Sequence, residues 1–275
     1  MKDILAAPLT HLFNKSLREH VVPDTWKTAN VTPVFKMKGS KYKTDNYRPI
    51  SLTSICCRLM ESQIKNAIIK HLDQNDIIKD SQHGFTTRRS AVTNLLEYLE
   101  KVTSNVDQGK PVDVIYLDLS KAFDKVPHRR LIKILRDYRI DEEVIRWIEI
   151  WLNERKQRVV LNGKTSNWEL VLSGVPQGSV LGPLLFIIYV NPLDDIILNL
   201  ANIVSKYADD TKVGSMIEDD EDHNKLQEAL DKINQWAEDW QMKFNEDKCK
   251  VIHFGQTNKQ REYKLNNKII QKSNC

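Results

Sequence analysis

Cysteine is scarce in this chain. Four appear among 275 residues, Cys56, Cys57, Cys249 and Cys275, with no C-x-x-C spacing and no paired histidines. That leaves no basis for a structural zinc or a disulfide framework, and makes a reducing compartment the default expectation. Long apolar runs are missing too. The longest, 180–190, carries Gly182 and Pro183 and is too short to cross a bilayer. No N-terminal stretch has the form of a signal peptide, so the expectation is a soluble protein with no membrane partner. Nor is there a strong charge of one sign: 41 basic against 37 acidic residues give +4. A balance this mild is compatible with nucleic acid without arguing for it. Internal repeats and low-complexity linkers are also absent.

What is present supports a globular body with a sizeable core, since 41% of residues are hydrophobic. Charge is unevenly placed. Residues 27–65 hold eight Lys/Arg against Asp45 and Glu61, whereas 218–222 is an unbroken acidic run that reads as a solvated loop. Helical periods run through 4–19, 54–72, 90–105, 128–138 and 142–153, the last with Asp141 as N-cap and Val144, Ile145, Ile148, Trp151 and Leu152 on one face. Residues 112–117 form the clearest strand, short and β-branched. Strands are also expected at 29–35, around 47–50, on both sides of 207–210, at 251–254 and near Ile269. Segments 158–161 and 168–172 flank Asn162-Gly163 as a hairpin would. Residues 183–190 are apolar all round and fit a buried helix with proline at its first position. An amphipathic helix follows through Leu226, Leu230, Ile233, Trp236, Ala237 and Trp240. Without strict βαβ alternation, the class is α+β.

Three segments carry chemistry. Asp118 closes the apolar strand, where a carboxylate can project into a cleft and bind a hard cation; alone, it reads rather as a helix cap or solvated terminus. Asp209 and Asp210, in Lys206-Tyr207-Ala208-Asp209-Asp210-Thr211, alone read as a turn. Taken together, three carboxylates on neighbouring strands suit two divalent ions about 3.5–4 Å apart, the arrangement for in-line phosphoryl transfer. Between them lies Ser173-Gly174-Val175-Pro176-Gln177-Gly178-Ser179-Val180-Leu181-Gly182-Pro183. Its glycines and prolines exclude an ordinary helix interior and let a base pair approach the backbone. No Gly-Lys-Ser/Thr follows, so it is not a P-loop.

These segments resemble the palm motifs of reverse transcriptases: the first aspartate motif, the glycine-rich B motif and the Tyr-Ala-Asp-Asp box. The flanks narrow the resemblance to LINE-type (non-LTR) retrotransposon enzymes of the jockey-like branch. Segment 26–36 is similar to the first finger motif, Asn46-Tyr47-Arg48-Pro49-Ile50-Ser51-Leu52 to the second, and Gln82-His83-Gly84-Phe85 with Arg89-Ser90 to the third. Asn245-Glu246-Asp247-Lys248-Cys249 resembles the D motif. The series spans about 20–255. Met37 interrupts what is usually a Lys-Lys-Gly turn.

The resemblance implies a right-hand polymerase fold: helical and β fingers over 1–108, and a ferredoxin-like palm, an antiparallel sheet backed by helices, over 109–275. The palm would end near a primer-grip hairpin at 252–255, with the thumb and the endonuclease region absent. It implies an RNA-directed DNA polymerase acting on an RNA template, a DNA primer and dNTPs with two Mg²⁺ ions, Mn²⁺ being a possible substitute. Asp118, Asp209 and Asp210 would bind the metals, with the backbone carbonyl of Leu119 assisting one. Phe123 would exclude a 2′-hydroxyl, which argues against an RNA-templated RNA polymerase; its bland reading is a core aromatic. Arg48 would clamp the triphosphate, or is a surface arginine before Pro49. Gln177 and Gly178 would border the nascent base pair, and Lys248 would be the general acid for pyrophosphate or a plain solvated lysine. The basic finger segment would grip the template backbone. His83 and His128 are expected to be hydrogen-bonded side chains without a metal role, and Trp236 and Trp240 to be helix core. The family's life cycle suggests nucleus and/or cytoplasm. The other reading, favoured by the short ends, is an inactive retroelement remnant that binds RNA or a partner.

Overall fold

The computed structural model describes residues 2–273, and Cys275 lies outside them. Among the described residues Cys56, Cys57 and Cys249 are free thiols, and no helix is long and apolar enough to cross a membrane. The chain forms two compact units, one of residues 1–77 and 123–186, the other of 78–122 and 187–275.

The first unit is built on a five-stranded sheet. Thr28–Phe35 pairs antiparallel with Tyr47–Leu52 and parallel with Lys156–Leu161. The Asn162-Gly163 signal is a true two-residue turn: both residues have positive φ (50° and 75°), and Leu161 faces Lys164. The second arm differs from the expected one. Glu169–Leu170 pairs with Lys156 and Gln157 rather than with 158–161, of which Val160 and Leu161 take the short Lys164–Thr165 strand. Met37 sits in the left-handed region (φ 58°) in the turn between the first two strands, largely exposed. Helix Glu142–Leu152 starts at Asp141, whose carboxylate accepts from the N–H of Glu143 (2.9 Å) and Val144 (3.3 Å). Its inner face holds Ile145, Trp147, Ile148, Trp151 and Leu152, all buried. Trp147 donates to Ser16 Oγ on helix Lys2–Arg18 (3.0 Å). Burying this indole contributes about 4–6 kcal/mol by area alone.

The second unit is a four-stranded antiparallel sheet with one added edge. Its order is Lys250–Phe254, Val112–Asp118, Asp210–Met216, Ile203–Tyr207, with Gln271–Lys272 parallel to the first of these. The four main strands, with helices between the first and second and between the third and fourth in sequence, follow the ferredoxin-like order. Val112–Asp118 is central, and its first four residues are buried, which accounts for Val112, Val114 and Ile115; the one charged residue among the four, Asp113, is matched by hydrogen-bond donors. Helix Ala91–Asp107, begun by a capping box at Ser90 and Thr93, packs Tyr98 and Val102 on Val112, Val114 and Ile203.

The acidic run 218–222 is largely exposed, as a solvated run should be, but it is loop only at Glu218 and Asp219, where a loop was expected throughout: Asp219 caps helix Asp220–Asp239 by accepting from Asp222 N–H (3.0 Å), and Asp220, Glu221 and Asp222 form its first turn. Acidic side chains are stabilised there by the orphan N–H groups and positive end of the helix dipole. In the same helix Trp236 is buried and stacks on Trp240.

Candidate active site

The central strand ends at Asp118, which lies directly opposite Asp210 in antiparallel register. Tyr207 faces Asp210 on the next strand, so Ala208 and Asp209 alone form the connecting turn. A two-residue hairpin turn needs positive φ, and here Ala208 supplies it at 58° although it is not glycine. Pairing register thus places Asp118, Asp209 and Asp210 at one end of one sheet.

Segment 243–249 comes to the same place. Ser120 N–H donates to Lys243 O (2.7 Å), Asn245 N–H to Asp118 O (2.8 Å), and Leu119 bridges Phe244. These bonds bring Lys248 Nζ to 2.9 Å from Asp118 Oδ2. Burial, then the neighbouring charges of Asp210 and Asp118, hold the Asp209 carboxyl above its ordinary value, against its own backbone hydrogen bond and Lys248. Burial and Asp118 do the same to Asp210, with Lys212 and Lys248 opposing. Crowded, partly desolvated carboxylates are what a divalent cation relieves, and an all-oxygen donor set suits a hard ion such as Mg²⁺. Among the described residues no three His, Cys, Asp or Glu side chains already converge into a metal cage. As the chain stands, one oxygen of Asp118 is committed to Lys248.

The remaining predicted residues belong to the first unit. Arg48 is exposed on strand Tyr47–Leu52, opposite Val34. Gln177 O accepts from Ser51 N–H on that strand (2.7 Å). Gly178 has φ 110°, and a Cβ there would lie 2.6 Å from Ser51 O, so the loop can sit this close only as glycine. Phe123 is half-buried, stacked on Phe186 with ring centroids 4.6 Å apart, and its carbonyl accepts from Val175 N–H (2.8 Å). A cleft of about 230 Å³ lies alongside, lined by Pro49, Ser51, Asp124, Arg155, Lys156 and the 170–177 loop. Both histidines are hydrogen-bonded: His128 Nε2 donates to Gly174 O (2.8 Å), and Nδ1 of buried His83 donates to Ser81 O (3.3 Å).

Residues 36–269 match the family described as reverse transcriptase (RNA-dependent DNA polymerase). The chain belongs to that family. Among its relatives, the RNA-directed DNA polymerase from mobile element jockey of Drosophila melanogaster is 29% identical over 253 residues, covering 90% of this chain and 27% of that protein. The probable RNA-directed DNA polymerase from transposon X-element of the same organism is 27% identical over 250 residues, with the same coverage of 90% and 27%. The chain therefore spans about a quarter of the length of the curated relatives it matches. An apo telomerase structure from Candida tropicalis, truncated from its C-terminal domain, superposes with a TM-score of 0.62 at 12% identity, covering 90% of this chain and 53% of that one. That likeness is one of fold, and with the ferredoxin-like sheet it establishes the reverse transcriptase palm-and-fingers class.

Within this reverse transcriptase frame, one anchoring residue escaped the sequence reading. Glu61 is fully buried on helix Ile55–Gln74. Its Oε2 accepts from the N–H groups of Val180 (2.7 Å) and Leu181 (3.1 Å) in the glycine-rich loop. Its Oε1 accepts from Cys57 Sγ (3.3 Å), whose thiol is pushed up by burial and by this carboxylate and so keeps its proton. The signal was present: Cys57, Met60, Ile64 and Ile68 mark the inner face of the helix, and Glu61 falls among them.

Proposed function

We propose that this chain carries the polymerase site of a non-LTR retrotransposon reverse transcriptase, an RNA-directed DNA polymerase extending a DNA primer with dNTPs on an RNA template. The observation that carries this reading is the register that sets Asp118 opposite Asp210, with Asp209 on the adjoining turn and Lys248 held beside Asp118. Residues 1–108 serve as fingers and 109–275 as palm. Two Mg²⁺ ions, or Mn²⁺ in their place, would lower the pKa of the primer 3′-hydroxyl and bind the triphosphate and leaving pyrophosphate.

Asp118, Asp209 and Asp210 would hold those ions, with the Leu119 carbonyl assisting. The primer 3′-oxygen, its proton passed to solvent water, bonds to the α-phosphorus as the bond to pyrophosphate breaks. Lys248 supplies the proton that the pyrophosphate oxygen takes up. Arg48 holds the triphosphate by guanidinium–phosphate hydrogen bonds. Gln177 and the side-chain-free Gly178 border the nascent base pair, and Phe123 lies under the incoming sugar and excludes a 2′-hydroxyl. Residence in nucleus or cytoplasm fits substrates of this kind.

Primer extension on an RNA template with Mg²⁺ and dNTPs tests the reading, with Asp209→Ala as control. Extension by the wild-type chain that disappears in the variant is the expected result. A folded wild-type chain that fails to extend at low salt with excess primer–template would rule the activity out.

A further inference from the structure

The turn that carries Asp209 is under two local demands that its own residues cannot meet. Ala208 occupies a left-handed conformation, φ 58°, which costs a side-chain-bearing residue roughly 1 kcal/mol or more. Ala208 is itself buried, so its N–H needs an acceptor. The acceptor comes from more than a hundred residues away. Gln82 Oε1 accepts from Ala208 N–H (3.0 Å) and from Gly84 N–H (2.8 Å), and the Gln82 side chain is buried.

Gln82 belongs to a segment that adds an edge to the Ile203–Tyr207 strand. Lys206 N–H donates to Ser81 O (2.7 Å), and His83 N–H donates to Lys206 O (2.9 Å). Below this edge Lys206 is buried, its ammonium 2.5 Å from Asp194 Oδ1. Gly84 closes the contact. A Cβ there would sit 2.4 Å from Ala208 N, so any larger residue displaces the turn. Two features of one segment, an amide oxygen and a missing side chain, therefore converge on one backbone nitrogen. That nitrogen belongs to the residue immediately before Asp209.

We propose that Gln82, with Gly84 against the same turn, is the positioning residue that holds Ala208 in its strained conformation and thereby aims the Asp209 carboxylate. The inference rests on the proposed role of Asp209 in metal binding. Gln82 touches neither metal nor substrate. It acts on Asp209 through the backbone, as outer partners of metal ligands do, where substitution typically lowers metal affinity or activity about 10–100-fold.

Two readouts separate this inference from the function it rests on. Hydrogen exchange followed by NMR reports the Ala208 amide with no metal or substrate present. That amide should be strongly protected in the wild-type chain and lose its protection in Gln82→Leu, while amides in the 112–118 strand keep theirs. Mn²⁺ titration followed by EPR reports the carboxylates, and affinity should fall about tenfold or more in Gln82→Leu. An unprotected Ala208 amide in the wild-type chain overturns the proposal whether or not Gln82→Leu folds. So does a folded Gln82→Leu with wild-type protection and wild-type Mn²⁺ affinity. Gly84→Ala approaches the same nitrogen from the other side and should also weaken Mn²⁺ binding; unchanged affinity in that folded variant counts against the proposal equally. A wild-type chain that protects Ala208 but binds no Mn²⁺ and extends no primer removes the proposed function instead.

Discussion

Lys248 Nζ lies 2.9 Å from Asp118 Oδ2, joining two residues 130 positions apart in the chain. Lys248 is more than half exposed and Asp118 only 22% exposed, so the pair stands at the mouth of the site. Exposed pairs of this kind contribute about 0–1 kcal/mol to stability. The value proposed for it is chemical, a proton donor beside a proposed metal-binding carboxylate. Lys248→Met should lower the single-turnover rate of nucleotide addition about 100-fold, the usual scale for a lost general acid. Its melting temperature should stay within a few degrees of wild type. A rate within twofold of wild type would return Lys248 to the role of a solvated lysine.

Glu61 anchors the glycine-rich loop through two backbone N–H groups. Glu61→Ala strands both donors in a buried site, at about 1–3 kcal/mol each. Urea unfolding should show a loss of several kcal/mol, and the KM for dNTP should rise as the Gln177–Gly178 segment loosens. Glu61→Gln keeps one carbonyl oxygen able to accept from both donors and should recover most of the stability. Equal losses in the two variants would show that charge matters there rather than hydrogen bonding.

Phe123 rests on Phe186, its ring tilted only 21° from the other. A flat, supported ring is a rigid floor beneath a sugar. Phe123→Val removes that floor and should admit ribonucleotides, raising rNTP relative to dNTP incorporation at least tenfold. Because Phe123 is only half-buried, stability should fall by about 1–2 kcal/mol, less than full core truncation. Unchanged sugar preference would mean the ring is only a packing residue.

A pH effect should arise at the other end of the central strand. Buried Asp113 accepts hydrogen bonds from His253 Nδ1 (2.6 Å), Asn258 Nδ2 (2.8 Å) and the Tyr263 hydroxyl (2.8 Å). Burial alone would raise its carboxyl, but the three donors and the histidine charge together outweigh it and hold it below its ordinary 3.8. A depressed folded-state value means stability that is fully present above about pH 4 and lost as pH falls through that lower value. Urea unfolding from pH 6 down to pH 2.5 should therefore show a drop that Asp113→Asn lacks, starting from a lower plateau. Parallel curves for the two proteins would remove Asp113 from the acid response.

Much of this protein is written locally. The strand 112–118 was visible because a strand buried on both faces is rich in apolar and β-branched residues, here Val112, Val114, Ile115 and Leu117. Helix Glu142–Leu152 was visible from Asp141 and the spacing of its buried residues, and the Asn162-Gly163 turn from two residues that tolerate positive φ. The acidic run 218–222 misled, because a charge cluster reads as solvated loop until the helix behind it is recognised as the reason for the charge. The second hairpin arm misled because register is set by which strand is free to pair, and no local residue states that.

The same division holds at the candidate site. Asp118, Asp209, Asp210 and Lys248 could be named as candidates from the order of their motifs and the resemblance of these to reverse transcriptase motifs. That Asp118 faces Asp210, that Lys248 reaches Asp118, and that Gln82 and Glu61 reach back to the Ala208 turn and the glycine-rich loop were decided by tertiary structure alone. The physical reason is that composition and periodicity report what each residue can bury or bond within its own element. The long-range partners of Gln82 and Glu61, the backbone N–H groups of Ala208, Val180 and Leu181, lie more than a hundred residues away, and those acquire an address only when the sheet and loop have closed around them.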